Sequence, residues 1–254
     1  MGRDTPLVRL VLLGDLGNAL ARRTQALRAA GRLALAEQAL RDYIRLAKEE
    51  SLPAAFHSGV YITGANLRFA QREFEQSERL ARKSDEVLES LGFNALNPDR
   101  TQRRRDVFIA LAGQKKWAQA QAELDRLDEL AKGNPSAMQR VAFSFDRAYV
   151  YLGNKQPERA APLFERVAAF NLQAFGPGHY FVAQAQGLQG VALWRQGGAE
   201  AKPKALQLLK KSVDDLVSIR NADYLDQVGI RPDVRQLIIG TYIEAVAELD
   251  PQSV

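Results

Sequence analysis

Apolar residues recur along this chain at the spacing of amphipathic α-helices, most clearly between Phe143 and Leu216. On either side of the turn FGPGHY (residues 175–180), the pattern predicts two helices joined by a short turn. The second helix on each side has a small residue and, four positions later, a large apolar one: Ala160 with Phe164, and Ala205 with Leu209. This spacing lets antiparallel helices approach closely, and its recurrence predicts a stack of helical hairpins.

Three earlier segments fit the same pattern, with the pairs Ala36/Leu40, Ala70/Phe74 and Ala120/Leu124. The five small positions are then 34, 50, 40 and 45 residues apart. In the second segment we expect a turn at Gly64–Asn66, followed by one long helix that ends at Gly92. The predicted hairpins span residues 17–50, 52–91, 100–132, 141–175 and 180–217.

A loop, NADYLDQVGIRP, is predicted to lead to a last helix over residues 231–249. In a repeat array, a lone terminal helix usually covers the exposed apolar end. No linker or low-complexity tract interrupts the pattern, so we expect one domain over residues 1–254.

Composition supports an all-α protein, because 46% of the residues are hydrophobic, 26% are charged, and alternating runs of strand length are missing. The net charge of +5 arises from 35 basic and 30 acidic residues, which indicates a mildly basic surface. No long basic track interleaved with aromatic residues is present, so nucleic-acid binding is not expected as the main role.

Catalysis has little chemical support in this sequence. There is no cysteine, which excludes disulfides, thiolate metal sites and a cysteine nucleophile within the chain. The two histidines fall in different hairpins, so they cannot form a metal triad by themselves. We expect His57 to pack between helices and His179 to satisfy a helix start. No phosphate loop or Gly-x-Ser-x-Gly motif appears. The prediction is a protein that is not an enzyme and that has no cofactor or metal.

The segment LVRLVLLGDL is interrupted by Arg9 and Asp15 and is too short to span a bilayer. It also lacks the basic, apolar and small-residue order of a signal peptide. We therefore expect a cytoplasmic protein, with the periplasm as the alternative if the natural N-terminus was trimmed.

The segments LAGQKKWAQAQAELDRL, AYVYLGNKQPERAAPLFERV and GVALWRQG resemble tetratricopeptide repeats (TPRs), and the resemblance covers residues 17–217. The turn LQAFGPGHYFVA is similar to the turn between kinesin-light-chain-type repeats, although Gly178 and Tyr180 replace its acidic residue and proline. The resemblance implies a right-handed α-solenoid of about five hairpins, whose first helices line a concave groove for a protein or peptide.

Bacterial repeats of this type, closed by a helix resembling GIRPDVRQLIIGTYIEAVAEL, often precede a caspase-like CHAT peptidase domain. Such a domain needs a His–Cys dyad, so this chain lacks the catalytic half. Three hypotheses follow: an interaction scaffold, a switch that senses a ligand or signal peptide, and the repeat half of a peptidase.

The helical register places ten residues on the predicted groove. They are Arg22, Gln25, Arg28, Gln102, Arg105, Asp106, Asp146, Tyr149, Trp194 and Arg195. Guanidinium groups beside aromatic rings suit a peptide with acidic groups, because arginine binds carboxylates through two parallel hydrogen bonds. Alternatively, Tyr149 and Trp194 only fill gaps between helices.

Two further features bear on binding. The family's Lys and Asn clamp for a terminal carboxylate does not carry over, because its positions hold Arg22, Phe56, Asp106, Asp146 and Leu188. A cluster of arginines at positions 100, 103, 104 and 105 either contacts phosphate or an acidic partner, or is a solvated helix start.

Overall fold

The computed structural model describes residues 6–50, 52–218 and 232–249, and these ranges form twelve α-helices and no β-strand. The all-α prediction is confirmed. The chain divides into two compact units, Met1–Val141 and Ala142–Val254. The expectation of one domain over the whole chain stays a prediction.

The first unit consists of three helical hairpins and a short helix. Its helices are α1 Pro6–Ala29, α2 Leu33–Glu49, α3 Ala54–Ala70, α4 Phe74–Ser90, α5 Pro98–Gly113, α6 Trp117–Ala131 and α7 Pro135–Arg140. Consecutive helices pair as α1/α2, α3/α4 and α5/α6, and each second helix also contacts the next hairpin. The first helices α1, α3 and α5 contact one another in turn and form a common layer, called here the first-helix face of this unit.

The second unit contains two hairpins and a terminal helix. Its helices are α8 Ser144–Gly153, α9 Pro157–Phe175, α10 Tyr180–Gln196, α11 Ala201–Leu216 and α12 Pro232–Leu249. Helix α12 packs against both α10 and α11, where Val234, Ile238 and Ala245 are fully buried. The predicted capping helix is therefore confirmed. Residues 219–231, which include most of the predicted loop before it, lie outside the described residues.

Four of the five hairpins have the same turn conformation between their two helices. In each, one residue adopts the left-handed conformation, with φ between 58° and 71°: Gly31, Arg72, Lys115 and Lys155. The next N–H then bonds a carbonyl five residues back, as in Gln156 N to Tyr151 O at 2.9 Å. Only glycine adopts this conformation without a steric penalty, so three of the four turns store about 1 kcal/mol each. The fifth hairpin has Gly197 and Gly198 at this point, in a connection of four residues where the other hairpins have three.

The small–large pairs predicted for four hairpins are confirmed by burial. Both members are buried in Ala36/Leu40, Ala120/Leu124, Ala160/Phe164 and Ala205/Leu209. In the fifth hairpin the facing position on α10 is Gly190, where a Cβ would lie 2.8 Å from Leu209 Cγ. The two helices approach so closely that no side chain fits there.

The second hairpin differs from its prediction. The turn expected at Gly64–Asn66 is wrong, because α3 continues through these residues to Ala70. Gly64 is a packing residue, since a Cβ there would lie 3.3 Å from Leu80 Cδ1. The turn falls after Ala70, so the equivalent buried positions are Ser77 and Ala81, which are both small, and the predicted pair Ala70 and Phe74 is wrong. The five small positions are then 41, 43, 40 and 45 residues apart, which is more regular than the sequence suggested.

A polar pair fixes the offset between successive hairpins of the first unit. Gln114 at the end of α5 donates from Nε2 to Glu78 Oε2 of α4 at 2.8 Å. Gln71 at the end of α3 makes the equivalent but longer contact with Glu37 Oε2 of α2, at 3.4 Å. There Arg68 adds a bidentate bond to Glu37, at 2.8 and 2.9 Å. Each hairpin is thus joined to the next at the same two positions.

Helix α7 was not predicted from the sequence. Asn134 caps it by accepting a hydrogen bond from Ala137 N at 3.0 Å, and Pro135 occupies its first turn. Its six residues are too few to show a helical period. Asn97 caps the start of α5, where its side chain accepts a hydrogen bond from Asp99 N at 2.9 Å.

Candidate functional site

The first-helix face of the first unit brings together three of the ten predicted groove residues. Arg28 on α1 interacts electrostatically with Asp106 on α5, although α3 lies between the two helices. Gln102, one turn before Asp106, donates from Nε2 to Asp106 Oδ1 at 3.2 Å. Both α1 and α5 therefore present polar side chains to the same face.

Arg28 has an unusual environment for a cation. Burial lowers the pKa of its guanidinium from the ordinary value, and the Asp106 carboxylate opposes that shift. Its Nε atom is buried and has no hydrogen-bond partner in the part of the chain that the structure describes. An unsatisfied buried N–H is costly, and the Asp106 carboxylate offsets the burial of this guanidinium only in part.

The remaining predicted residues of this unit lie close by in sequence. Arg22 and Gln25 are exposed on α1, one to two turns before Arg28. Arg105 is half-buried on α5, beside Asp106. The exposed pair extends the polar surface along α1.

The arginine cluster at the start of α5 turns toward α4 instead of solvent. Arg100 is only 4% exposed and binds both oxygens of Asp85, at 2.7 and 3.1 Å, and the Phe93 carbonyl at 3.0 Å. The Asp85 bonds, with a smaller contribution from Glu89 at 3.0 Å, raise the pKa of Arg100 against the opposing effect of burial. Arg104 Nε lies 3.5 Å from Asp85 Oδ2. Arg100 and Arg104 are therefore structural cations, which neither interpretation of the cluster anticipated.

Arg103 completes this contact between α4 and α5. Its Nε donates to Ser84 Oγ at 3.0 Å, and burial lowers the pKa of its guanidinium. Ser84 also donates to the Ser58 carbonyl of α3 at 3.0 Å. Sequence reasoning missed Ser84, although Ser77 and Ser84 are seven residues apart on the buried side of α4 and could have marked it.

In the second unit, the predicted groove residues fall in two places. Tyr149 on α8 is buried and donates to Asp233 Oδ2 of α12 at 3.0 Å, and the half-buried Asp146 precedes it by one turn. Trp194 lies at the other end, near the turn after α10, with Lys202 Nζ 4.8 Å from its ring centre. Arg195 beside it is exposed and donates to the Leu152 carbonyl at 3.4 Å.

A buried polar group on α10 was not predicted from the sequence. Gln184 Nε2 of α10 donates to Tyr180 Oη at 3.4 Å, and both residues are buried. Burial raises the pKa of Tyr180 to about 12, and the charge of Arg235 on α12 opposes that rise. The helix contacts that bring Asp233 and Arg235 near α8 and α10 are long-range, so no local signal marks them.

His179 satisfies the start of α10 as predicted. Its Nδ1 accepts a hydrogen bond from Phe181 N at 3.2 Å. The imidazole also stacks on Phe175, with ring centres 4.6 Å apart and planes at 16°. His57 is half-buried on α3.

Among residues 6–50, 52–218 and 232–249, no group of three or more His, Asp or Glu side chains could hold a metal ion. No helix in the described ranges is both long and apolar enough to cross a membrane.

The first unit has an open depression of about 630 Å³ between the start of α5 and α7, lined by Asn94, Pro98, Leu130 and Arg140 among others.

Comparison with solved structures decides the fold. A kinesin light chain of Podosopora anserina with nearly identical TPR-like repeats aligns with 81% of this chain and 96% of its own, at a TM-score of 0.56 and 15% identity. A second structure of that protein aligns with 78% and 93%, at a TM-score of 0.55 and 15% identity. The fold is TPR-like. The sequence matches no family model and no curated protein.

Proposed function

We propose that this chain is a protein–protein interaction scaffold that binds an acidic peptide or partner segment on the first-helix face of its first unit. The TPR-like fold supports this proposal, because helical repeat proteins use the face lined by their stacked helices for binding. The observation that carries it is Arg28, a half-buried guanidinium on this face whose burial the Asp106 carboxylate offsets only in part.

A partner carboxylate would supply what Arg28 lacks. It would bind the accessible part of the half-buried guanidinium and share it with Asp106, whose single charge only partly offsets burial. The exposed side chains of Arg22 and Gln25 would extend the contact along α1. The net charge of +5 would favour the approach of an acidic segment at low salt.

Selection from a random peptide library, followed by fluorescence anisotropy, tests this proposal. We expect Asp- and Glu-rich sequences, with affinity that falls as salt rises. The double variant Arg22→Ala/Arg28→Met should weaken binding at least tenfold, about 1.4 kcal/mol. Arg79→Ala, which removes an exposed arginine from α4, is the matched control and should bind normally. Equal affinity in all three proteins would remove this face from consideration.

The second unit holds the other four predicted residues, Asp146 and Tyr149 in one place and Trp194 and Arg195 in another. Only Arg195 is exposed, and Tyr149 already bonds to Asp233. We therefore expect Arg195→Ala to have a smaller effect on peptide affinity than Arg22→Ala/Arg28→Met. A larger effect would move the main site to the second unit.

Finer hypotheses rest on the resemblance of the sequence alone. If the repeats serve a CHAT peptidase, co-expression with such a domain should yield a complex that survives size-exclusion chromatography. If the repeats instead form a switch, small-angle scattering should show compaction when a selected peptide binds. Cell fractionation tests the proposed cytoplasmic location.

A further inference from the structure

One side of helix α1 packs against α2 and α3 of its own unit. Gly14 and Gly17 let it come so close to α2 and α3 that a Cβ at either position would lie 3.1 Å from the Phe56 or Tyr43 ring. Leu13 and Leu20 pack against the buried cluster that contains Tyr43. The orientation of α1 is therefore fixed.

The opposite side of α1 is exposed and mostly apolar, with one arginine. Five exposed residues follow one another there at alternating spacings of four and three positions: Leu12, Leu16, Ala19, Arg23 and Ala26. We call them the outer stripe. Leu12 is 61% exposed and Leu16 49%. This spacing is that of a helix that pairs with another helix.

Two charged residues determine which partner the outer stripe can bind: Arg23 within it and Asp15 beside it. Asp15 and Arg23 are exposed, and no hydrogen bond or ion pair ties either side chain to another described residue. In an antiparallel pair of α1 helices centred on Ala19, Asp15 of one copy lies level with Arg23 of the other. Both residues are four positions, about 6 Å, from that centre. A parallel pair would instead place Asp15 against Asp15 and Arg23 against Arg23.

Packing favours the same arrangement. The small side chain of Ala19 at the centre lets the two helix axes approach, and Leu12 of each copy lies level with Ala26 of the other. The aliphatic part of Arg23 can lie over Leu16 while its guanidinium reaches the facing carboxylate. Apolar contact and opposite charges therefore coincide in one register.

We propose that the outer stripe of α1 binds a second copy of this chain, as an antiparallel two-fold helix pair. The surface is self-complementary, as a two-fold interface requires. From Leu12 to Ala26 the contact is about 21 Å long. It removes on the order of 400 Å² per copy from water, which is small for a specific interface. The expected dimer is reversible, with a Kd in the micromolar range.

Sedimentation equilibrium of the full chain from about 1 to about 100 μM brackets such a Kd. The native chain should shift from monomer to dimer over this range. Leu16→Glu should remain monomeric throughout. Asp15→Arg should weaken association roughly tenfold, because it faces Arg23 of the other copy. The double variant Asp15→Arg/Arg23→Asp should restore it. Ile243→Glu, at an exposed position on α12, is the control and should dimerise normally.

The proposal is overturned if the native chain stays monomeric, if Leu16→Glu still dimerises, or if the double charge reversal fails to restore association. Circular dichroism checks that each variant keeps its helix content, and Leu16→Gln replaces Leu16→Glu if that variant does not fold. Leu16→Glu should also retain the peptide affinity of the native chain, which separates this proposal from the binding function.

Discussion

Replacing Arg100 by methionine should destabilise the first unit by about 3 kcal/mol. The change keeps the length of the side chain but leaves Asp85, which is only 17% exposed, without its two bonds of 2.7 and 3.1 Å. It also leaves the Phe93 carbonyl without its donor. Removing one partner of a buried ion pair costs about 3–5 kcal/mol. We take the low end because Arg104 still lies 3.5 Å from Asp85 and because the Glu89 partner is exposed.

The two tryptophans allow this effect to be measured in one unit. Trp117 lies in the first unit and Trp194 in the second, so fluorescence in a Trp194→Phe background follows urea unfolding of the first unit alone. Arg126→Met is the matched control, because Arg126 is exposed and its Nη1 lies 3.8 Å from Glu123. We expect this control to lose less than about 0.5 kcal/mol. If Arg100→Met cost no more than Arg126→Met, the inference that Arg100 joins α4 to α5 would be wrong.

Three other predictions follow from local geometry. Lys115→Gly should stabilise the first unit by about 1 kcal/mol, because it relieves a left-handed backbone; an unchanged urea midpoint would contradict this. The bonds from Arg68 hold the pKa of Glu37 below its ordinary value of 4.5, so the stability that they provide is present above pH 4.5 and is lost as the pH falls further. In Glu37→Gln, the urea midpoint should therefore depend less on pH between pH 5 and 3 than it does in the native chain. Gly187→Ala should lower the melting temperature, because the added Cβ would lie 2.3 Å from the Ser212 hydroxyl oxygen of α11, at a cost of about 1–3 kcal/mol. Gly240→Ala has open space around it and should leave the melting temperature unchanged.

The sequence predicted the hairpins well because their signals are local. A small residue and a large one four positions later lie on one helix face, so Ala120 and Leu124 can be recognised without knowledge of the rest of the fold. Gly64 misled the prediction because a glycine that permits close packing looks the same in sequence as a glycine that ends a helix. The turn at Arg72 lacks glycine, so nothing marked the true helix end.

The candidate site was less predictable than the hairpins. The helical register placed Arg28 and Asp106 on one face, and their electrostatic interaction agrees with that placement. It could not show that Arg100 would turn back to Asp85, because this depends on how α5 lies against α4. The same limit hid the bond from Tyr149 to Asp233, which joins residues 84 positions apart.

The Glu–Gln pairs between hairpins have a consequence for how such a chain can change in length. Each pair joins the second helix of one hairpin to the end of the first helix of the next, through Glu37 with Gln71 and Glu78 with Gln114. Duplicating residues 33–73 would therefore copy both halves of a joint, so that the added module could dock on its neighbours without any new mutation. Besides apolar packing, growth by tandem duplication requires that each copy present the same two polar groups to the next.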